Sequence, residues 1–302
     1  MANTRCRCRA RPVTFLCHRL LHFLSTRRLR RRRLRLTTTT ATGHEAESPA
    51  KSAAAEQRDA AGDDAAVAGK YWAQRHSLFA LYDRGVQMDA EGWYSATPEA
   101  IAAAQAARAP RGSLVLDAFA GVGGNSIQFA ARGCRVVAVE IDPRKVELAA
   151  HNARIYGVED RIEFVVGDFF RLAPSLKADS VFLSPPWGGP SYRQAQVYSL
   201  DMLKPKDGFK IFQAAQKISP NIIMFLPRNV DISQVEQLSW LSSPPLDFVK
   251  VIVNLSICNN NIGIPAVVLQ SEESYVEHRL KGITAYFGGM AQEVQKQEQN
   301  CF

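Results

Sequence analysis

The sequence contains no CxxC pair, no apolar run long enough to cross a bilayer and no acidic residue among its first 36 positions. Paired cysteines are the usual ligands of structural zinc, so their absence argues against a zinc-binding module. Six scattered cysteines in 302 residues do not make a disulfide framework either, which favours a reduced intracellular compartment. The most apolar N-terminal stretch, residues 13–24, is interrupted by His18 and Arg19. It therefore falls short of the roughly 18–20 residues that span a membrane.

The positive charge is concentrated at one end of the chain. The whole sequence has 37 Lys and Arg against 29 Asp and Glu, but residues 1–36 alone hold twelve arginines. Subtracting those twelve leaves 25 basic against 29 acidic residues, a net charge of −4 for the rest. A mildly acidic body argues against a wide nucleic-acid-binding face and leaves room for a small basic patch.

Residues 1–68 are predicted to form a disordered Arg-rich arm and a low-complexity linker. The arm contains RRLRRRRLR (27–35), and residues 37–68 have no Phe, Trp or Tyr with which to build a core. Arginine runs of this kind are typical of nuclear import signals or RNA contacts. Acid-free segments rich in Arg, Ser and Thr also resemble organelle transit peptides, and an inert tail is a third interpretation. We expect a nuclear protein, in the nucleolus or Cajal body, with organelle import as the alternative.

Apolar strand patterns alternate with amphipathic helix patterns from residue 113 onward. This alternation predicts an α/β fold with a doubly wound, mostly parallel sheet that binds ligands at the carboxyl ends of its strands. Residues 69–112 are predicted to be an N-terminal helical extension, 113–290 the sheet domain and 291–302 a flexible tail. Thr97 is predicted to cap a helix that starts at Pro98. Seven strands are predicted, at 114–119, 135–142, 161–169, 180–184, 221–227, 248–257 and 281–288.

A glycine-rich turn, DAFAGVGGN (117–125), follows the first predicted strand. Gly121 and its neighbours allow a tight turn and a close approach of the backbone to a ligand. The pattern alone also fits a nicotinamide-nucleotide site or a plain strand-to-helix turn. Its third fingerprint position is Ser126, where glycine or alanine is expected.

An acidic residue also ends each of the first three predicted strands. Glu140 can accept both ribose hydroxyls of an adenosine-bearing ligand, and Asp168 can accept a hydrogen bond from an adenine amino group. Together with Asp117 they form an ordered set that chance does not readily produce. The set resembles the class I S-adenosylmethionine-dependent methyltransferases, which have a Rossmann-like sheet.

The stretch SPPW (184–187) ends the fourth predicted strand, because two prolines cannot donate to a sheet. A delocalised amine is a poor nucleophile and must be held in line with the methyl group. The Ser184 side chain and the Pro185 carbonyl can accept hydrogen bonds from such an amine, so positioning carries most of the catalysis. Trp187 can stack on a flat base, and tryptophan is the strongest aromatic partner for a positively charged one such as 7-methylguanine.

Several longer motifs narrow the resemblance to one family: SPPWGGP, DAFAGVGGNSIQFA, KYWAQRHSLF, GWYSATPE, FLPRN and ITAYFG. From about residue 70 to 289 the chain resembles the trimethylguanosine synthase family. The resemblance implies two successive N2 methylations that turn a 7-methylguanosine cap into the 2,2,7-trimethyl cap. It also implies S-adenosylmethionine as cofactor and capped small nuclear and nucleolar RNA as partner, with ribonucleoprotein assembly proteins as further candidate partners.

The resemblance also implies a role for individual residues. Ser184, Pro185 and Trp187 would be the catalytic positions, and no metal is implied. The cofactor-binding positions would be Phe79, Ser95, Thr97, Asp117, Gly121, Asn125, Glu140 and Asp168. The cap would be held by Trp187 and, at its phosphates, by Lys70, Tyr192, Arg228 and Lys281.

Two alternative functions stay open from the sequence. The chain could be another amino methyltransferase, acting on adenine N6, on guanine N2 in folded RNA or on protein glutamine. It could also be a non-catalytic cap-binding assembly factor. A departure from the family pattern is the stretch at 258–279, which is longer than expected and is interpreted as a surface insertion.

Overall fold

The computed structural model of the chain describes residues 69, 71–242, 245–251, 272–276 and 279–291. The predicted arm at 1–68, Lys70 and the segment 252–271 lie outside the described residues, as does the tail from 292 onward. No helix in the described ranges has the length and apolar composition needed to cross a membrane.

A twisted sheet forms the centre of the described part, with strands in the order β3-β2-β1-β4-β5-β8-β6 and with β7 paired to β8. The first five strands of that order are parallel, whereas β8 is antiparallel to its three neighbours. The strands are β1 (Leu114–Asp117), β2 (Arg135–Glu140), β3 (Ile162–Val166), β4 (Ser180–Leu183), β5 (Ile222–Pro227), β6 (Phe248–Val251), β7 (Glu272–Val276) and β8 (Arg279–Phe287).

Helices pack on both faces of this sheet, which gives the doubly wound arrangement predicted from the alternating pattern. The α-helices of the described part are α1 (Arg75–Leu78), α2 (Gly92–Ser95), α3 (Glu99–Ala107), α4 (Gly124–Arg132), α5 (Pro143–Ile155), α6 (Phe169–Leu172), α7 (Gly208–Gln216) and α8 (Ile232–Ser239). Capping residues determine where these helices begin and end. Gly133 closes α4 in the left-handed region at φ 105°, and Asp142 caps α5 by accepting from Arg144 N.

The sheet divides the core into two apolar clusters. Alternate residues of β5 belong to different clusters, as expected where successive side chains point to opposite faces. Ile223 and Phe225 pack with residues of α3, α4 and α5. Ile222, Met224 and Leu226 pack with residues of α7 and α8. Because both faces are covered, strands such as β5 are buried along their whole length.

The predicted extension is helical only in short pieces, and it packs against the first apolar cluster. Trp93 is buried, with its ring centroid 5.5 Å from that of Tyr82. Glu99 of α3 accepts hydrogen bonds of 2.6 Å at its Oε2 from Ala80 N and from Tyr156 Oη, which ties α3 to the preceding part of the extension and to the end of α5. Burial, followed by the hydrogen bond to Glu99, raises the pKa of Tyr156. These contacts hold the extension against α5, and residues 94–97 of the extension line the cavity at the carboxyl ends of the strands.

Two of the expectations about elements are wrong. The described sheet has eight strands rather than seven, because residues 272–276 of the supposed insertion pair with β8. The segment EESYV begins with two glutamates, a residue type that is uncommon in strands. The strand at 272–276 was therefore not predicted from the sequence. The helix predicted to start at Pro98 starts at Glu99, since Pro98 has ψ 136° and is itself the capping residue. Thr97 is therefore not the capping residue of α3, and it lines the cavity described below.

Candidate active site at the carboxyl ends of the strands

A cavity of about 450 Å³ lies where β1, β2, β3 and β4 end. This volume is within the range of about 300–1,000 Å³ that is common for small-molecule sites. Four elements of the chain form its wall: the glycine turn after β1, the ends of β2 and β3, the SPPW stretch after β4, and the segment around α2. The predicted site residues in this wall are Ser95, Thr97, Gly121, Asn125, Glu140, Asp168, Ser184, Pro185, Trp187 and Tyr192.

The glycine turn is shaped by two positive φ angles. Gly121 has φ 52° and lines the cavity, and no atom lies within 4 Å of where a Cβ would project. Gly123 has φ 91°, and a Cβ there would lie 3.0 Å from the Cβ of Ala149 on α5. Glycine is therefore favoured at both positions, and at Gly121 it leaves the backbone open to a ligand.

Two of the carboxylates that line the cavity, Glu140 and Asp168, are held by backbone N–H groups. Glu140 Oε2 accepts from Gly121 N at 2.8 Å, and its Oε1 accepts from the N–H groups of Ile141 and Asp142 at 2.9 and 3.0 Å. Asp168 Oδ1 accepts from Phe170 N at 2.8 Å and so caps α6. Because backbone donors hold each carboxylate, the remaining lone pairs are oriented for hydroxyl or amino donors of a ligand.

The wall opposite the sheet comes from α2 and the residues after it. Ser95 and Thr97 line the cavity there, and so does Tyr94, which the sequence analysis left unassigned. Lys145 of α5 also lines the cavity and forms an ion pair with Glu91, at the start of α2. Burial opposes the charge of Lys145, but the hydrogen bond and charge of Glu91 outweigh it, and the pKa is raised.

Four predicted cofactor positions are largely or wholly buried, namely Phe79, Thr97, Asp117 and Asn125, and the first and third of them are outside the cavity wall. Asp117 is fully buried behind the glycine turn, where its Oδ2 accepts from Ser126 Oγ at 2.6 Å. Phe79 is also buried, and its ring lies against Gly124, 3.6 Å from where a Cβ there would lie. Asn125 reaches the wall, but its Nδ2 donates to Gln105. Asp117 and Phe79 thus support the turn from behind.

Because of Asp117, the free energy of unfolding should decrease as the pH rises from about 4 to about 7. Burial raises its pKa from 3.8 to about 6, against the hydrogen bond from Ser126 and the backbone N–H of Phe119. The native state then holds a proton that the unfolded state has lost. The stabilisation is therefore complete below pH 3.8 and is lost as the pH rises through 6, about 3 kcal/mol in all.

The measurement is urea unfolding of wild type and Asp117→Asn across that pH range. The difference in unfolding free energy between the two should change by about 3 kcal/mol, because the amide does not titrate. The exposed Asp160→Asn is the matched control and should run parallel to wild type. A constant difference between wild type and Asp117→Asn would show that Asp117 is ionised throughout.

The SPPW stretch forms the other end of the cavity. Ser184 and Pro185 line it directly after the last residue of β4. The Trp187 ring is half-buried, with centroids 5.2 Å from both Phe225 and Tyr192. The Trp187 carbonyl accepts from the buried Tyr198 hydroxyl at 3.1 Å, which fixes the turn. An indole held this way presents a preformed surface to a flat ligand.

Of the residues expected at the phosphates, Lys70 lies outside the described residues, and Tyr192, Arg228 and Lys281 lie close together after the carboxyl ends of β4 and β5. Tyr192 lines the cavity, and its carbonyl accepts from Nδ2 of Asn229, the residue after Arg228, at 3.4 Å. Arg228 and Lys281 adjoin the Pro227–Gly282 pair of β5 and β8. Neither is part of the cavity wall, and Lys281 Nζ donates to Gln74 Oε1 at 3.2 Å. Two cations that the sequence analysis passed over, Arg193 and Lys204, line the cavity instead. Their signals were weak: Arg193 merely follows Tyr192, and Lys204 lies in a loop without a motif.

Comparison with known proteins agrees with the resemblance seen in the motifs. A family model described as RNA cap guanine-N2 methyltransferase matches residues 112–290. Trimethylguanosine synthase of Schizosaccharomyces pombe is 42% identical over 185 residues, which are 58% of this chain and 77% of that protein. The protein of the same name from Saccharomyces cerevisiae is 42% identical over 179 residues, 56% of this chain and 57% of its own.

The fold is shared with more distant proteins of known structure. A solved structure of a methyltransferase candidate from Porphyromonas gingivalis W83 superposes with a TM-score of 0.54 at 13% identity, over 85% of this chain and 56% of that one. At this identity the likeness concerns the fold alone. It agrees with the Rossmann-like, mostly parallel sheet predicted from the sequence.

Proposed function

Because the chain belongs to the RNA cap guanine-N2 methyltransferase family, we propose that it converts the 7-methylguanosine cap of small nuclear and nucleolar RNA to the 2,2,7-trimethyl cap. The methyl donor is S-adenosylmethionine, as in the family. The extent of methylation, two successive N2 transfers, is supported by the relatives named trimethylguanosine synthase. Capped RNA is the substrate of the family, and the small nuclear and nucleolar classes are the finer proposal.

The cavity fits this cofactor by the chemistry of its wall. The turn at Gly121 leaves the backbone open where a side chain would otherwise project. In this proposal Glu140 and Asp168, which both line the cavity, hold the ribose hydroxyls and the adenine amino group, and Ile141 supplies an exposed apolar side chain beside them. The acidic character of this end also suits a ligand that carries a sulfonium and an ammonium group.

The SPPW stretch would carry the positioning part of the reaction. When bound, S-adenosylmethionine supplies an electrophilic methyl group on sulfur. The Ser184 hydroxyl and the Pro185 carbonyl would accept hydrogen bonds from the guanine N2 amine, and Trp187 would hold the base plane. No histidine lines the described cavity, and none is needed, because the amine becomes acidic and releases its proton after it is alkylated. Catalysis then rests on orientation and fixed dipoles.

The observation that carries the proposal is the continuity of one cavity from Glu140 and Asp168 to Trp187. A cofactor-binding end and a base-stacking end in one space allow direct transfer between two ligands. A cap-binding assembly factor without activity would have no use for the cofactor end. The direct test is incubation of the protein with 7-methylguanosine diphosphate and labelled S-adenosylmethionine, followed by mass analysis of the product.

That assay should give a singly and then a doubly methylated product, and guanosine diphosphate without the N7 methyl should be a poor substrate. A product only from uncapped RNA, adenine or a glutamine peptide would instead support another amino methyltransferase. Cap binding without any transfer would support the assembly-factor alternative.

The arm is proposed to direct the protein to the nucleus rather than to act in catalysis. Deletion of residues 1–60 should leave methylation of the free cap nearly unchanged, because the described cavity wall lies entirely after residue 90. A fluorescent fusion lacking the arm should lose nuclear enrichment. Deletion of residues 1–84 removes Phe79 and its support of the glycine turn, and should abolish activity. Loss of activity in the shorter deletion, or import of the arm into an organelle, would contradict these assignments.

A further inference from the structure

The loop between β4 and α7 carries three exposed cations, two of which line the cavity. Arg193, Lys204 and Lys206 are all exposed. The first two line the cavity, whereas Lys206 lies outside the wall, with its Nζ 4.1 Å from the ring centroid of Phe170. We call these three residues the basic strip.

The basic strip is available for an anionic ligand. Within the described ranges, no carboxylate forms an ion pair with any of its three members. The nearby Lys210, by contrast, is paired with Asp207 at 2.8 Å, and that carboxylate also caps α7. The segment 186–210 holds four basic and two acidic residues. After that pair is removed, three cations stand against Asp201 alone.

Acidic and basic residues lie at different ends of the cavity, and this separation indicates which ligand each end binds. The cofactor end has four carboxylates around one lysine, and this set comprises Glu91, Glu140, Asp142, Asp168 and Lys145. Among the described residues of the wall, the Trp187 end has Arg193 and Lys204 and no carboxylate. A cationic cofactor and an anionic substrate would each be attracted to the end of opposite sign.

Arg193 and Lys204, the two cations of the strip that line the cavity, each contact a residue next to Trp187 in the chain or in space. Lys204 N donates to the Pro186 carbonyl at 3.0 Å, directly before Trp187. The Arg193 guanidinium lies 5.7 Å from the ring centroid of Tyr192, whose edge meets the Trp187 ring. Lys206 follows Lys204 by two residues and lies outside the cavity wall, against the ring of Phe170. A phosphate chain that leaves a base stacked at Trp187 would therefore have two cations in the cavity wall and a third outside the wall within its reach.

We propose that the basic strip binds the RNA backbone beyond the cap, so that the enzyme prefers capped RNA to the free cap. This inference rests on the proposed function, since it takes the cap base to stack on Trp187. The ligand is the phosphodiester backbone of the first transcribed nucleotides. The −4 balance outside the arm leaves this strip as a narrow track rather than a broad RNA-binding face.

The test compares the full chain with the R193A/K204A/K206A variant on two substrates, 7-methylguanosine diphosphate and a capped ten-nucleotide RNA. Loss of three phosphate contacts should raise KM for the capped RNA about tenfold more than KM for the diphosphate. The salt dependence should also weaken: the slope of log affinity against log salt should fall by about 2, since single-stranded contacts contribute roughly 0.7 each. The R135A/K177A/K217A variant is the matched control. It removes the same three charges from exposed positions at or before the amino ends of β2, β4 and β5, the edge of the sheet opposite to the cavity.

Each outcome decides the inference. An equal rise in KM for both substrates would overturn it and assign the strip to the cap phosphates themselves. No change, or the same change in the control variant, would overturn it as well. If the wild-type chain methylates neither substrate, the proposed function is wrong, but that result does not decide whether the basic strip binds RNA. In that case, fluorescence anisotropy measures binding of the uncapped ten-nucleotide RNA to the basic strip. Equal affinity of wild type and R193A/K204A/K206A would contradict the inference that the strip binds RNA.

Discussion

Replacing Glu140 with alanine should weaken S-adenosylmethionine binding by about 10- to 150-fold and leave cap binding nearly unchanged. Hydrogen bonds to a charged acceptor contribute roughly 1.5–3 kcal/mol, which gives that factor. Glu140 has a second role, because it accepts from Gly121 N and so holds the turn against the cofactor. Both losses act at the same end of the cavity and in the same direction.

Isothermal titration with each ligand separately measures the effect. Glu147→Ala is the matched control, since this exposed glutamate lies on α5 and outside the cavity wall. It should bind both ligands like wild type. A Glu140→Ala variant that keeps its cofactor affinity but loses cap affinity would mean that the two ends of the cavity have been assigned in reverse.

The acids and glycines of the site were predictable from the sequence because they follow directly from strand ends. In a parallel sheet, the carboxyl ends of neighbouring strands meet at one edge. Glu140 ends β2 and Asp168 follows β3, so the sequence alone places both in one cavity, where the structure has them. The same argument places Ser184 after β4. It does not tell which acid faces the ligand, and Asp117 proves to be buried behind the turn.

The residues that come from outside the sheet were harder to predict. Tyr94 and Lys145 reach the cavity only because α2 folds over α5, a contact made through Glu91 and Asp89. No periodic pattern encodes such a long-range pairing of charges. Arg193 is similar, since its position depends on how the loop after Trp187 returns to the mouth of the cavity. Sequence periodicity reports burial within one element, not the approach of two loops.

Replacing Trp187 with alanine should weaken cap binding by about 5- to 150-fold. Stacking and the cation–π interaction together contribute about 1–3 kcal/mol. Trp187→Phe should lose less, because a phenyl ring still stacks and still packs against Phe225. Trp240→Ala is the matched control. Its indole is 68% exposed at the end of α8 and lies outside the cavity wall, so it should bind the cap like wild type.

A purely structural role for Trp187 would also weaken binding, because its ring lies between Phe225 and Tyr192. The two roles differ in their dependence on the charge of the base. The cation–π attraction exists only for the N7-methylated base, so Trp187→Ala should reduce the preference for 7-methylguanosine diphosphate over guanosine diphosphate. A general loosening of the site would weaken both ligands by the same factor. Retention of the full preference in the alanine variant would therefore remove Trp187 from the recognition of the methylated base, whatever its effect on affinity.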